Sequence, residues 1–327
     1  MEKIIDSLNE LDIDWVKLKK WYVRQAKIQA RKQRLNLPIA ILFFIVLNTA
    51  NILFLLSYLE EKKEQLNRMV RYDNSIIIDD IGGLRSDHTE ERKKIDDTLI
   101  GLITFAFFFT ITFIQIYPFI FFRLNHYLKE VNYKRLDRNS FQSLWSLIDD
   151  LSQSMSLNMN VQLFYLQENN FEAHILKEKD NINLFLSRKM ISFYSQDLQK
   201  FKVILAHEFG HVIQGDTKFL LSGVQSLRKS FIISYIGFII AYIIGLEYGA
   251  SAVLAITSFI YYSIFRKRRH EAEYLADIAS VCYLQNKTIA EVLELSIIKD
   301  TPFYPTKMKR LSNLYNTLHR FQTNHIG

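Results

Sequence analysis

The chain has 327 residues, 49% of them hydrophobic, with 25 phenylalanines, one cysteine and a net charge of +7. The lone Cys282 excludes an intramolecular disulfide and a thiolate metal cluster, so any metal must be held by His and carboxylate. Charges come in blocks beside apolar runs, which turns the basic excess toward an anionic membrane face and away from nucleic acid.

Residues 1–36 form a basic N-terminal segment. Its start, MEKIIDSLNELDID, is polar and acidic, and the first apolar run is too long for the core of a secretory signal. From Asp14 to Arg34, Trp15, Leu18, Trp21, Tyr22, Gln25 and Ile28 recur near helical period among eight basic residues. Two readings stand: an amphipathic helix on the inner membrane surface, or a solvated helix that supplies positive charge.

Four apolar runs follow. Leu37–Leu59 and Leu99–Phe122 each exceed the ~20 residues that cross a bilayer as helix, and enclose a polar loop, 60–98. Ser230–Leu246 and Tyr248–Phe265 are shorter, reaching roughly 26 Å each, and read as a membrane hairpin with a soluble-core pair as the alternative. Lys and Arg cluster before the first run, after the second and after the fourth as RKRR (Arg266–Arg269). This asymmetry predicts a multi-pass protein of the cell membrane, with about four transmembrane helices and its N-terminus in the cytoplasm. Loop 60–98 and the hairpin tip then face outward.

The segments 123–218 and 266–327 lie outside these runs and read as two parts of one cytoplasmic domain, split by the hairpin 219–265. FQSLWSLIDDLSQSM predicts an amphipathic helix with Phe141, Leu144, Trp145, Ile148 and Leu151 on one face. Val161–Leu166 and Asn181–Ser187 predict strands, with a turn over Glu178–Asn181. After Arg269 the pattern is helical, interrupted at TPFYPT. The fold class expected is α+β: mostly helical, with a small sheet.

The chemistry concentrates in LAHEFGHVIQGD, Leu205–Asp216. His207 and His211 are i and i+4, so both imidazoles leave one helical face and can reach one Zn²⁺. Glu208 beside them is placed to take a proton from water rather than to ligate. Leu205, Ala206, Phe209, Val212 and Ile213 surround the motif, and buried His and Glu need partners, which a metal supplies. A catalytic zinc takes three protein ligands. The metzincin positions are not met, since Gln214 stands where glycine is required and Thr217 where a third histidine would be. The third ligand is therefore sought further on, in HEAEYLADIA, where Glu273 and Asp277 share a face. Glu273 can ligate and Asp277 can accept from a ligand imidazole, with His270 and Glu271 as rivals on other faces.

These two stretches together resemble the HtpX-type integral-membrane zinc metallopeptidases, relatives of the CAAX prenyl-protein endopeptidases and of the mitochondrial stress peptidase OMA. The resemblance covers roughly residues 161–311. It implies a zincin-like domain with one zinc, His207, His211 and Glu273 as ligands and Glu208 as general base. NNFEA (Asn169–Ala173) is similar to the family's substrate-pairing edge strand, which implies that Asn169, Phe171 and Ala173 bind substrate; Asn170 and Glu172 depart from the pattern. YPTKMKR (Tyr304–Arg310) is similar to a family stretch near the end, with Tyr304 in place of a histidine that steadies the oxyanion. The resemblance thus implies Tyr304 and Arg310 as catalytic residues. The link 60–98 is longer than in the family.

The expected function is a membrane-embedded zinc endopeptidase cutting membrane-associated proteins or peptides at the cytoplasmic face, as in protein quality control. A dedicated processing protease for a peptide precursor, such as a signal or bacteriocin, is the alternative. A membrane-bound binding or regulatory protein on a non-turning-over zincin scaffold is an alternative of another class. The partners expected are the peptide substrate and the bilayer, and not nucleic acid.

Overall fold

The computed structural model describes residues 2–32, 64, 133–178, 180–217, 249–295 and 304–323. The chain divides into two compact units: Met1–Leu37, Phe121–Val224 and Ser263–Gly327 form the first, Pro38–Ile120 and Gln225–Tyr262 the second. Every residue considered for chemistry belongs to the first. The apolar runs 37–59, 99–122 and 230–246 lie outside the described residues. The fourth run is helical from Gly249. Among the described residues no helix is long and apolar enough to cross a membrane.

The first unit is mostly helical with one four-stranded sheet, as the α+β expectation required. Helix α1 (Glu2–Glu10) leads through a short bridge into α2, residues 15–32. Strand β1 (Tyr133–Arg135) and a 3-10 turn (Asn139–Phe141) precede α3 (Gln142–Ser154). Strands β2 (Asn160–Leu166), β3 (Ala173–Glu178) and β4 (Asn181–Ser187) follow. Then come α4 (Arg188–Gln196), α5 (Leu198–Gln214), α6 (Gly249–Leu284, of which this unit holds the part from Ser263), α7 (Ile289–Glu294) and α8 (Lys307–His319).

The sheet order is β1-β2-β4-β3. β2 and β4 run parallel in the centre, Leu163 opposite Leu184, and β3 returns antiparallel along one edge, Ile175 opposite Leu184. Valine, leucine and isoleucine at alternate positions turn one face to the core: Leu163, Ile182 and Leu184 are fully buried. Each such side chain contributes about 1.5–3 kcal/mol on leaving water. β3 packs beside α5, so the sheet edge runs along the helix that carries the histidines.

Three local outcomes differ from the sequence reading. Phe141 closes the 3-10 turn before α3 and is 36% exposed, whereas Leu144, Trp145, Ile148 and Leu151 are buried as expected. Of NNFEA only Ala173 is strand, as the first residue of β3; Ser187 holds the residues before it, its N donating to the Glu172 carbonyl (2.9 Å) and its Oγ accepting from Glu172 N (3.0 Å) and donating to the Asn170 carbonyl. The third is α2. It is amphipathic, but its apolar face is taken by the protein itself: Leu18, Tyr22 and Ala26 are buried in the core. Tyr22 meets Tyr283 of α6 edge-on at 6.0 Å, and Asp14 N bonds the carbonyl of Phe321 after α8 (2.9 Å). Of the predicted face, Leu18 and Tyr22 are buried and Trp15 and Trp21 pack partly against the core, while Ile28 is 38% exposed.

Candidate metal centre

Helix α5 is apolar on nearly every side, which suits a helix packed all round. Asp197 caps its start by accepting from Lys200 N at 3.0 Å. Gly215 ends it in the left-handed region (φ 69°), where glycine carries no Cβ penalty. That turn lets Asp216 N donate to the His211 carbonyl (3.3 Å) and brings the Asp216 carboxylate back beside the His211 ring.

Helix α6 crosses α5 at Gly210. A Cβ on Gly210 would stand 2.8 Å from Ala279 Cβ and 3.1 Å from Ala276 Cα, so the crossing needs glycine on one side and alanine on the other. Ala272, Ala276 and Ala279 form a small-residue stripe on α6, and Arg269, Glu273 and Asp277 form a polar stripe next to it. The close approach of the first stripe delivers the second to the histidines.

The result is a buried three-ligand group. His207, His211 and Glu273 each offer one ligand atom, and the three atoms lie within 4.8 Å of one another. The Glu273 carboxylate is 3.4 Å from His207 Nε2 and 3.8 Å from His211 Nε2. The opposite ring nitrogens face carboxylates: His207 Nδ1 is 3.0 Å from Asp277, and His211 Nδ1 is 3.2 Å from Asp216. With each Nδ1 turned to a carboxylate, both Nε2 atoms face Glu273, where each ring in its neutral form can offer a lone pair. Two imidazoles and a carboxylate, each imidazole backed by an acid, is a donor set that fits a divalent cation. His270 and Glu271 stay out of the group: His270 packs against Tyr274, and Glu271 lies 3.9 Å from Lys32 of α2.

The charges make the same point. Burial alone would push His207 down, but the hydrogen bonds of Asp277 and Glu273 outweigh it and raise the ring to about 10. Burial likewise opposes ionisation of Glu273, yet His207, His211 and Arg310 hold its carboxyl well below the usual range. The cluster is built to hold positive charge between the rings and the acid. Burial pushes Glu208 up to about 7, against the pull of His207 and His211, so its carboxyl is poised to exchange a proton near neutrality.

Arg310 reaches this centre from α8. Its Nε donates to Asp277 Oδ2 at 2.8 Å, a terminal nitrogen donates to Asp277 Oδ1, and the other lies 3.5 Å from Glu273. The guanidinium is thus engaged with the acids that orient and complete the ligand set. The same terminal nitrogen that meets Asp277 lies 3.4 Å from His207 Nδ1, so Arg310, expected to be catalytic, stands inside the cluster.

Tyr304 is held by Arg269, which donates to the hydroxyl and lies 3.8 Å over the ring. Burial pushes its phenol up to about 12, with the charges of Glu273, Glu208 and Glu172 adding to the rise and Arg269 opposing it. The hydroxyl therefore keeps its proton at neutral pH and, accepting from Arg269, has that proton to donate. Of the residues expected to touch substrate, Ala173 opens edge strand β3, Asn169 is exposed, and Phe171 is half-exposed and packs edge-on against Phe193 at 5.8 Å. Lys177 N points away from β4 and donates to Thr217 Oγ1 (3.3 Å), so the alternate outward backbone groups of Ala173 and Ile175 share the free side of the edge.

Asp216 and Arg269 are the residues that the sequence reading did not assign. The Gly-Asp pair after the motif was the signal for the first. Arg269, one helical turn before Glu273, was read only as membrane-flanking charge.

A helix with two histidines and an acid in one turn, crossed by a second helix that supplies a carboxylate, defines a metallopeptidase. The model of Peptidase family M48 matches residues 140–318, more than half of the chain, and the protein belongs to that family. The match agrees with the HtpX-type resemblance read from the motifs. No curated protein matches the chain.

Proposed function

We propose that the protein is a zinc-dependent endopeptidase acting on membrane-associated proteins or peptides at the cytoplasmic face of the cell membrane. The observation that carries the zinc reading is the convergence of His207, His211 and Glu273 within 4.8 Å, all three buried. When bound, zinc supplies Lewis acidity, acidifying a water and polarising a carbonyl.

The chain's own groups do the rest. His207, His211 and Glu273 hold the ion, with Asp277 and Asp216 fixing the two rings. The Glu208 carboxylate accepts a proton from the attacking water as oxygen bonds to the peptide carbon. The C–N bond then breaks, and Glu208 returns the proton to the leaving amine nitrogen. The Tyr304 hydroxyl donates to the carbonyl oxygen as negative charge gathers there. The outward backbone groups of β3 take an extended peptide as an added strand, with Asn169 and Phe171 flanking it.

The membrane setting is supported by the four apolar runs and by Lys and Arg clustered on one side of them. Removal of damaged membrane proteins is the role this arrangement suits. The test compares membrane-protein fragments in cells carrying the native protein and Glu208→Gln. Fragments that disappear in the variant are expected; identical fragment patterns would sink the reading.

A further inference from the structure

The family match begins at residue 140, yet the N-terminal helix lies against the end of the HExxH helix. A Cβ on Gly215 would stand 4.0 Å from Ala30 Cβ of α2, which sets the α2 face bearing Ala26 and Gln29 beside the Gly215–Asp216 turn. Polar atoms buried without a hydrogen-bond partner occur on both elements: Tyr22 Oη and Gln29 Nε2 on α2, Asp216 Oδ1 at the turn, and both amide atoms of Gln214 just before it. Tyr22, Asp216 and Gln214 are 0% exposed and Gln29 2%. A buried polar atom left unsatisfied is costly, and α2 and the turn it packs beside carry two such donors and a carboxylate oxygen. Tyr22 and Gln29 are i and i+7 on α2, with Ala26 between them, so they share one helical face on which the middle residue is small. Burial raises the Tyr22 phenol, and Tyr283, Cys282 and Asp216 add to the rise, so the hydroxyl is a donor within electrostatic reach of that carboxylate. The other oxygen, Asp216 Oδ2, faces His211 Nδ1 at 3.2 Å.

We propose that α2 is part of the metal centre: Tyr22 and Gln29 hold Asp216 Oδ1 through buried water, and thereby fix the His211 ring. A water with two donors and a carboxylate around it has the partners that buried waters require. The two residues are positioning residues, acting on the ion through Asp216 and His211. The inference rests on the metal-binding reading given above, and it makes a segment outside the family's matched region necessary to the site.

The test uses the full-length protein loaded with zinc or cobalt, and follows release of the ion to a chelator. Tyr22→Phe and Gln29→Met remove one polar group each and little volume. Each is expected to release the ion about tenfold faster, the size of effect seen for outer support of a ligand, and to shift the visible spectrum of the cobalt form. Tyr283→Phe, which removes a hydroxyl from the same interface away from Asp216, is expected to leave release and spectrum as in the native protein. Native release rates and spectra in both α2 variants would overturn the inference and leave the metal centre standing. Equal acceleration by Tyr283→Phe would also overturn it, since packing alone would then explain the effect. A native protein that takes up neither ion would overturn both the inference and the reading beneath it.

Discussion

Asp277 stands 3.0 Å from His207 Nδ1 while Arg310 bonds both oxygens of the same carboxylate. One buried acid therefore orients a ligand ring and neutralises a buried guanidinium. Asp277→Asn is expected to weaken metal binding by about 10–100-fold, measured by competition with a chelator. Arg310→Met leaves Asp277 buried without its cation and is expected to lower stability by about 3–5 kcal/mol. The double variant should recover part of that stability without recovering metal affinity, which urea unfolding and metal titration together would read.

Glu208 lies outside the ligand group, so Glu208→Gln should keep the metal. The loss of a general base costs about 10²–10⁴-fold in rate. Metal content at the native level with peptide cleavage reduced by that factor is the expected pair of results. Cleavage at the native rate would remove Glu208 from the mechanism.

Gly210 sets the distance between the two helices. Gly210→Ala forces a Cβ to 2.8 Å from Ala279 Cβ. Overpacking of this kind costs about 1–3 kcal/mol. Because the strain falls between the histidine helix and the Glu273 helix, metal occupancy should fall along with the unfolding midpoint. Pairing it with Ala279→Gly removes the 2.8 Å contact but leaves Ala276 Cα at 3.1 Å, so it should restore both only in part.

His174 stacks on Phe185 across β3 and β4 at 4.8 Å, and burial lowers it from 6.5 to about 4. Its unfolded pKa is higher than its folded one, so between pH 6.5 and 4 the unfolded chain binds a proton that the folded chain refuses. The stabilisation is complete above 6.5 and is lost as pH falls, by up to about 3 kcal/mol at pH 4. His174→Phe keeps the stack and should flatten that part of the acid-unfolding curve.

Cys282 is buried, and burial pushes its thiol up to about 12. A thiol so placed holds no thiolate at pH 8. Native protein should resist alkylation there, and mild urea should expose one reactive thiol per chain.

The sequence singled out the three residues that the structure brings together, His207, His211 and Glu273, because each stands in a local helical pattern. The i, i+4 pair His207 and His211 and the i, i+4 pair Glu273 and Asp277 are fixed by helical geometry alone. The strand Asn181–Ser187 likewise has the bounds its alternation suggested. What escaped depends on contacts between distant segments. Asp216 reaches His211 only through the left-handed turn at Gly215, and no helical period links them. Arg310 was named by resemblance alone; its partner Asp277 lies thirty-three residues earlier, and no local pattern links the two. The face of α2 was legible as amphipathic, but periodicity says nothing about which surface receives it, and the core of the same chain does.

The turn at Gly215 makes the backing of His211 a matter of chain length. A single residue inserted between His211 and Asp216 would swing the carboxylate off the ring while leaving every letter of HExxH and the distant acid in place. Such an insertion in this chain would keep the whole signature and still loosen its grip on an ion by about 10–100-fold. Here the distance along the chain from the second histidine to the aspartate matters beside the motif itself.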